Sequence, residues 1–267
     1  CGVTGFLPSS GSIGRTGILT QSPTLDRVGV FAGSVEDAAM LAEVLFGHDE
    51  FDRLTAPAPH PRLLSVAATD APVTPMFAFV RSPYWEQAEP ACREAIEELA
   101  DHLDEGCFEA ELPAAFSEAA AVRSRIHLAE MSKAYHRYSR DGGELLSPGL
   151  CEALDRGAKV LAHDYIAALD WPDYLYAALG EIFQRCDAII TPAATGPAPK
   201  GLDSTGSPIF NAIWTLCGTP AITLPLFADE DGMPMGVQLV GPRGGDARLL
   251  RTARWLVRHL QTDTQGD

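Results

Sequence analysis

The sequence predicts an α/β protein with a mixed, largely parallel central sheet covered by helices on both faces. Three observations carry that expectation. Residues 63–113 read as strand, helix, glycine, strand, the order of a βαβ unit. Residues 186–192 (CDAIITP) form a short apolar run, which suits a strand buried on both faces. Residues 220–241 read as two strands around the turn ADEDG, a hairpin, and a long helix with one apolar stripe follows.

Taken in order, residues 4–31 are rich in Gly, Ser, Thr and Pro, so loops and short strands are expected. Ser34 is a good helix N-cap, with Asp37 three residues on and Val35, Ala38, Leu41, Ala42 and Leu45 at helical spacing. Gly47 closes that helix. TAPAPHPR (55–62) is a connector, and Leu63–Ala67 reads as a strand. Ser82-Pro83 begins a helix with a restart at Pro90, and CFEAELP (107–113) alternates like a strand. Helices are expected over 114–138, from Ser147-Pro148 through Leu169, and over 174–185. Thus residues 83–185 form a helical covering block. After the Pro- and Gly-rich loop at 193–208 come a helix at 209–219 and the hairpin. Asp246 caps the last helix; Leu249, Leu250, Ala253 and Leu256 point inward, and Arg248, Arg251, Arg254 and Arg258 form a solvated face. Residues 261–267 are a frayed tail. The whole of 1–267 is read as part of a single domain.

The 267 residues suffice for a sizeable core. Twenty basic against 36 acidic residues give −16, which argues against nucleic acid or an anionic membrane as partner. The six cysteines form no CxxC, so neither a zinc site nor a disulfide framework is expected; free thiols in a reducing compartment, the cytoplasm, are. No apolar run approaches membrane-spanning length. No metal or cofactor is expected.

Self-contained catalytic machinery is missing from the sequence. There is no GxSxG, SxxK, HExxH, GxGxxG or P-loop pattern. Ser132 and Lys133 are adjacent, so on a helix they do not face each other. His127 and His136 lie nine apart, too far for a same-face metal pair. Ser9 and Ser10 have no evident base and read as turn serines.

Two ordered blocks resemble the amidase-signature family of serine hydrolases. The first is CGVTGFLPSSG with SPTLDRVGVFAGSVEDA, in which Cys1, Gly2, Gly5, Pro8, Ser9 and Gly11 fit the family pattern and Leu7 replaces its basic residue; GHDEFD follows. The second is CDAIITPAATGPAP, FNAIWTLCGTPAITLPLF and GMPMGVQLVGPRGGDARLLRTA, with Thr215 where many members have Asn. The resemblance implies a Ser–Ser–Lys triad that maps entirely upstream of Cys1, so no catalytic residue is carried onto this chain. It implies that the segment from Ser204 to Trp214 lies over the acyl-binding side, with Thr205, Pro208, Asn211 and Ala212 as contacts. Ile126, Met131 and Tyr135 on the middle helix are offered as a second wall, at a spacing equally that of a core stripe. Glu130 beside them either selects a polar substrate or is paired. Asp26 is read as structural, holding its loop through backbone hydrogen bonds, and Cys1 as packed behind the nucleophile loop.

The expected function is hydrolysis of a linear amide or carbamate through a serine acyl-enzyme. The alternatives are a non-catalytic subunit of the same fold and a tRNA-dependent amidotransferase subunit. Expected partners are a small-molecule amide or carbamate and the upstream part of the polypeptide, with a homodimer left open. Without upstream strands the sheet would leave open edges and apolar surface.

Overall fold

The structure is a computed structural model that describes residues 2–199, 201 and 204–263. Cys1 and residues 264–267 of the expected tail lie outside the described residues. One sheet contains seven strands: β1 (Thr4–Leu7), β2 (Val30–Ala32), β3 (Phe77–Val80), β4 (Cys107–Ala110), β5 (Ala188–Pro192), β6 (Ala221–Ala228) and β7 (Pro234–Val240). Their order is β2-β1-β6-β7-β5-β3-β4.

The mixed sheet is as expected, but its parallel share is smaller. β3 pairs in parallel with β4 and β5, while the remaining four pairings are antiparallel. The cause is local: the tight turn at 229–232 forces β6 and β7 antiparallel, and that hairpin sits between β1 and β5.

The βαβ unit is present with its first strand moved. It runs β3, α3 (Pro90–His102), β4, with Phe77 opposite Cys107. Leu63–Ala67, expected as a strand, is helix α2. Its buried residues, Leu63 and Ala67, lie one helical turn apart, while Ser65, which a strand would place on the same face as both, is exposed. Ser34 caps α1 (Val35–Leu45), its Oγ accepting from Asp37 N at 3.1 Å.

The expected long helices are broken up. Residues 114–138 become a 3₁₀ turn, α4 (Ala119–Ala134) and the start of α5 (His136–Gly142). The Ser147-capped helix stops as α6 (Pro148–Ala158) and resumes after extended Leu161 as α7 (Ala162–Leu169). The stretch before β5 is α8 (Trp171–Ala178) and α9 (Gly180–Phe183). α10 (Ile209–Cys217) ends at Gly218, whose φ of 66° is the left-handed cap that favours glycine. α11 (Asp246–Asp263) runs into the expected tail.

The core is two layers, and the strands alternate between them. Phe77 and Phe79, Ala188 and Ile190, Ile222 and Leu224, and Val237 and Leu239 pack with α1, α2, α3 and α11. Ala78 and Val80, Ile189 and Val240 face the layer of α4 and α7–α10. The helical block is therefore divided, with α3 on the opposite face from α4–α9. Arg254, expected to be solvated, is 8% exposed and donates from Nε to Glu36 Oε1 at 2.7 Å, tying α11 to α1.

Large apolar side chains remain outside both layers. Phe31 on the β2 edge is 78% exposed, Val44 on α1 80% and Phe51 77%. Residues 1–267 produced alone are expected to self-associate, as exposed apolar patches and an unpaired edge strand do. Size-exclusion chromatography with a thermal melt checks this; a monodisperse, cooperatively melting sample would contradict it.

Candidate functional site

On the face shared with α4–α9, the strands near β1 change character. Gly5, Ala221, Thr223, Gly236 and Gln238 replace large apolar residues and floor a cleft of about 1,020 Å³. The intervening residues Ile222, Leu224, Val237 and Leu239 face the other core. Position 236 has no room for a side chain, since a Cβ there would come within 2.8 Å of Thr223 Cγ2. α10 supplies a wall through Asn211, Trp214 and Thr215, the i, i+3 and i+4 positions of one helix face. Residues 193–199, 201 and 204–207 form another rim, and Gly2 and Val3 also line the cleft.

Asn211 locks α10 to the sheet. Its Nδ2 donates to Ala193 O at 3.0 Å, and its Oδ1 accepts from Gln238 Nε2 at 2.6 Å. Arg27 reaches the cleft from the loop after β1. Its Nη1 donates to Pro8 O at 3.0 Å and Thr219 O at 2.7 Å. Burial pulls this guanidinium down to about 10, so it stays charged at neutral pH. A second cleft of about 770 Å³ lies between residues 15–28 and the end of α4, lined by Arg15, Lys133, Tyr135 and Tyr138; Arg27 lines both clefts.

The loops that hold Arg27 are fixed by buried and half-buried acids. Asp26 Oδ2 accepts from Gln21 N at 2.7 Å and Ser22 N at 2.9 Å, the structural role expected of it. Glu130 is paired: its carboxyl group accepts from Ser22 Oγ at 2.5 Å, from Thr24 N at 3.0 Å, from Thr24 Oγ1 and from Tyr165 OH at 2.8 Å. Burial, then the bond to Glu130, pushes the Tyr165 hydroxyl up to about 12. Ser9 is no free nucleophile. Its Oγ donates to Asp246 Oδ2 at 2.6 Å and accepts from Gly244 N at 2.9 Å. Burial pushes the Asp246 carboxyl up, opposed by the Ser9 hydrogen bonds.

Asp52 clamps the second cleft. It accepts from Arg15 Nε at 2.7 Å, Arg15 Nη2 at 2.7 Å and Arg15 N at 3.0 Å. The Arg15 side-chain bond holds its carboxyl well below the usual carboxylate range. A depressed folded-state value stabilises above the unfolded value of about 3.9, and that contribution is lost as pH falls toward the folded value. Asp52→Asn is therefore expected to lower the melting temperature more at pH 7 than at pH 3. Equal deficits at both pH values would refute the clamp.

The residues proposed from the sequence separate in space. Thr205 and Asn211 line the large cleft. Pro208 stands at the start of α10, where its carbonyl accepts from Asn211 N and Ala212 N, both at 3.0 Å. Ala212 is buried on α10. Ile126 is fully buried in the helical layer. Met131 is buried and accepts from Gln21 Nε2 at 3.5 Å. Tyr135 lines the second cleft. Sequence reasoning missed Gln238, Thr223 and Arg27. The signal for the first two was present: a strand whose alternate positions are small or polar has one uncovered face.

Among the described residues, no group of three or more His, Cys, Asp or Glu is arranged to hold a metal ion. The described cysteines are free, and burial pushes the Cys186 and Cys217 thiols up to about 12. No described helix is long and apolar enough to cross a membrane.

The mixed α/β fold that carries this cleft is shared with solved amidase structures. A crystal structure of an amidase is 26% identical, with a TM-score of 0.78, over 97% of this chain and 58% of that one. A chain from a vestigial complex that reveals the origins of an s-triazine catabolic enzyme shares the fold with a TM-score of 0.85, at 23% identity over 97% of this chain and 59% of that one. The chain belongs to the amidase family, whose model matches residues 1–250. A curated relative, a glutamyl-tRNA(Gln) amidotransferase subunit from Agathobacter rectalis, is 27% identical over 95% of this chain and 57% of its own length. The chain thus spans less than two thirds of that relative.

Proposed function

We propose that the intact protein is an amidohydrolase that cleaves a linear amide or carbamate through a serine acyl-enzyme. This chain would supply the sheet, part of the acyl cleft and the frame around it. The observation that carries this reading is the cleft itself, in a chain of the amidase family. Gly2 and Val3 line it, so a residue preceding Cys1 in the intact protein would be delivered beside it. The family resemblance puts the nucleophilic serine there, with the bridging serine and lysine further upstream. A lysine kept neutral by burial draws a proton through the bridging serine. The activated serine then attacks the carbonyl, the amine leaves protonated, and water cleaves the acyl-enzyme. Thr205 and Asn211 would contact the acyl side. Pro208 and Ala212 would set the start of α10. Tyr135 would line the second cleft, with Ile126 and Met131 seating its helix.

The test is an intact-mass spectrum of the full-length protein after exposure to a fluorophosphonate. One adduct on a serine outside residues 1–267 supports the reading. An unlabelled protein would favour the non-catalytic alternative. The names of curated relatives favour a further alternative, an amidotransferase subunit. Transfer of ammonia to glutamyl-tRNA, measured with candidate partner subunits, tests it. The net charge of −16 makes this chain a poor RNA-facing surface.

A further inference from the structure

The floor and wall of the large cleft hold polar atoms that no described residue satisfies. Among the described residues, Arg27 Nε, Trp214 Nε1 and Gln238 Oε1 are buried without a hydrogen-bond partner, and all three residues line this cleft. Thr191 Oγ1 is a fourth such atom, and Thr191 stands directly across the β5–β7 pair from Gln238, on the same sheet face. Gln238 and Trp214 are each 1% exposed. Native proteins pair nearly all buried polar groups, so several orphans around one cleft point to an occupant.

The chemistry of that occupant follows from which atoms are left over. The Ala193 carbonyl can only accept, so the Asn211 side chain must turn Nδ2 toward it and Oδ1 toward Gln238. Oδ1 can only accept, so Gln238 must present Nε2 to Asn211. That leaves Gln238 Oε1 as the free end, an acceptor. Trp214 Nε1 and Arg27 Nε are donors only. The floor therefore calls for a group that both accepts and donates. A carboxylate or an ester would set an oxygen against Gln238 Oε1 with no hydrogen between. An ammonium would meet the charged Arg27. A primary or secondary amide meets both demands.

We infer that Gln238 is a specificity-determining residue that accepts the N–H of a primary or secondary amide in this cleft, with the buried N–H groups of Trp214 and Arg27 serving its carbonyl side. The inference rests on the amidohydrolase reading and deepens it by naming which amides are accepted. Discrimination is strong because Gln238 is buried: an analogue without the N–H leaves its Oε1 unpaired away from solvent.

The test uses the intact protein and two probes, butyramide and N,N-dimethylbutyramide. Affinities are read by ligand-observed NMR before hydrolysis accumulates. Wild type is expected to prefer butyramide by about tenfold or more. Gln238→Met, which keeps the length of the side chain and removes the acceptor, should bring the ratio to within about twofold, whatever common factor the lost bond to Asn211 imposes on both probes. A merely structural role would weaken both probes together. Trp214→Phe is the second variant and should weaken both probes by a common factor, keeping the ratio. Equal binding by wild type, or an unchanged ratio in Gln238→Met, would overturn the inference; with Gln238→Met unfolded, a ratio altered by Trp214→Phe would do so. Hydrolysis is scored separately. A preserved binding ratio with no turnover of butyramide would overturn the amidohydrolase reading and leave the role of Gln238 standing.

Discussion

Glu130→Ala is expected to destabilise the protein by about 3–5 kcal/mol, because four donors lose a single buried acceptor group at once. The side chain is buried on α4, and both of its oxygens are fully used. Oε2 accepts from Ser22 Oγ and Thr24 N, and Oε1 from Thr24 Oγ1 and Tyr165 OH. Alanine leaves those four donors without their acceptor. Each orphaned buried donor costs about 1–3 kcal/mol, and the costs are not additive because the loop relaxes as a unit. Thermal unfolding should fall by about 10 °C. Glu130→Gln retains one oxygen but sets an NH₂ group against donors, so about half the loss is expected. Tyr165→Phe removes a single bond and should cost about 1 kcal/mol. A Glu130→Ala melt within a degree or two of wild type would show that the hub carries no weight. The consequence extends past stability, because the same loop continues through Asp26 into Arg27 at the cleft.

Much of the architecture is legible because it is local. Ser34 and Asp37 mark the start of α1, and the glycine and aspartate at 229–232 mark the hairpin. The family blocks include β1, α10, β6 and β7, each of which supplies residues to the cleft. Leu63–Ala67 misleads because five apolar-rich residues cannot separate helix from strand by period. The real strand, FAFV at 77–80, follows Pro75 and Met76 and has no alternation because both of its faces are buried. The breaks at 159–161 and 170 within the helical block depend on how α6, α7 and α8 turn against α4, which spacing alone does not encode. Glu130 illustrates the limit most clearly. On the sequence it is a lone helix acid. Its partners at Ser22 and Thr24 lie 108 and 106 positions away, so no local pattern could disclose them. The Asn211–Gln238 bond is hidden for the same reason, although a glutamine amid the apolar run GVQLV invites the question of what it faces.

Gly157→Ala is the second substitution with a large expected effect, and its sign runs against helix propensity. In an exposed helix interior, alanine is better than glycine by about 1 kcal/mol. Gly157, however, sits where α6 crosses α4. A Cβ there would run into the carbonyl of Leu128 and within 2.8 Å of Ser132 Cβ. The first obstacle is backbone inside a helix, which cannot rotate away, so α6 and α4 must part. Overpacking of this kind costs about 1–3 kcal/mol or more, enough to exceed the propensity gain. A net loss of about 2 kcal/mol is expected for alanine, and more for valine. Gly149 is the internal control. It lies in the first turn of the same helix with nothing within 4 Å of a Cβ, so Gly149→Ala should be neutral or slightly stabilising. Chemical denaturation of the two variants decides the matter, and Gly157→Ala as stable as Gly149→Ala would exclude a close crossing. Leu128 and Ser132 flank Glu130 on α4, so parting the helices should also strain the carboxyl hub. The Gly157 and Glu130 substitutions should then be coupled, and the double variant should lose less than the two single losses together.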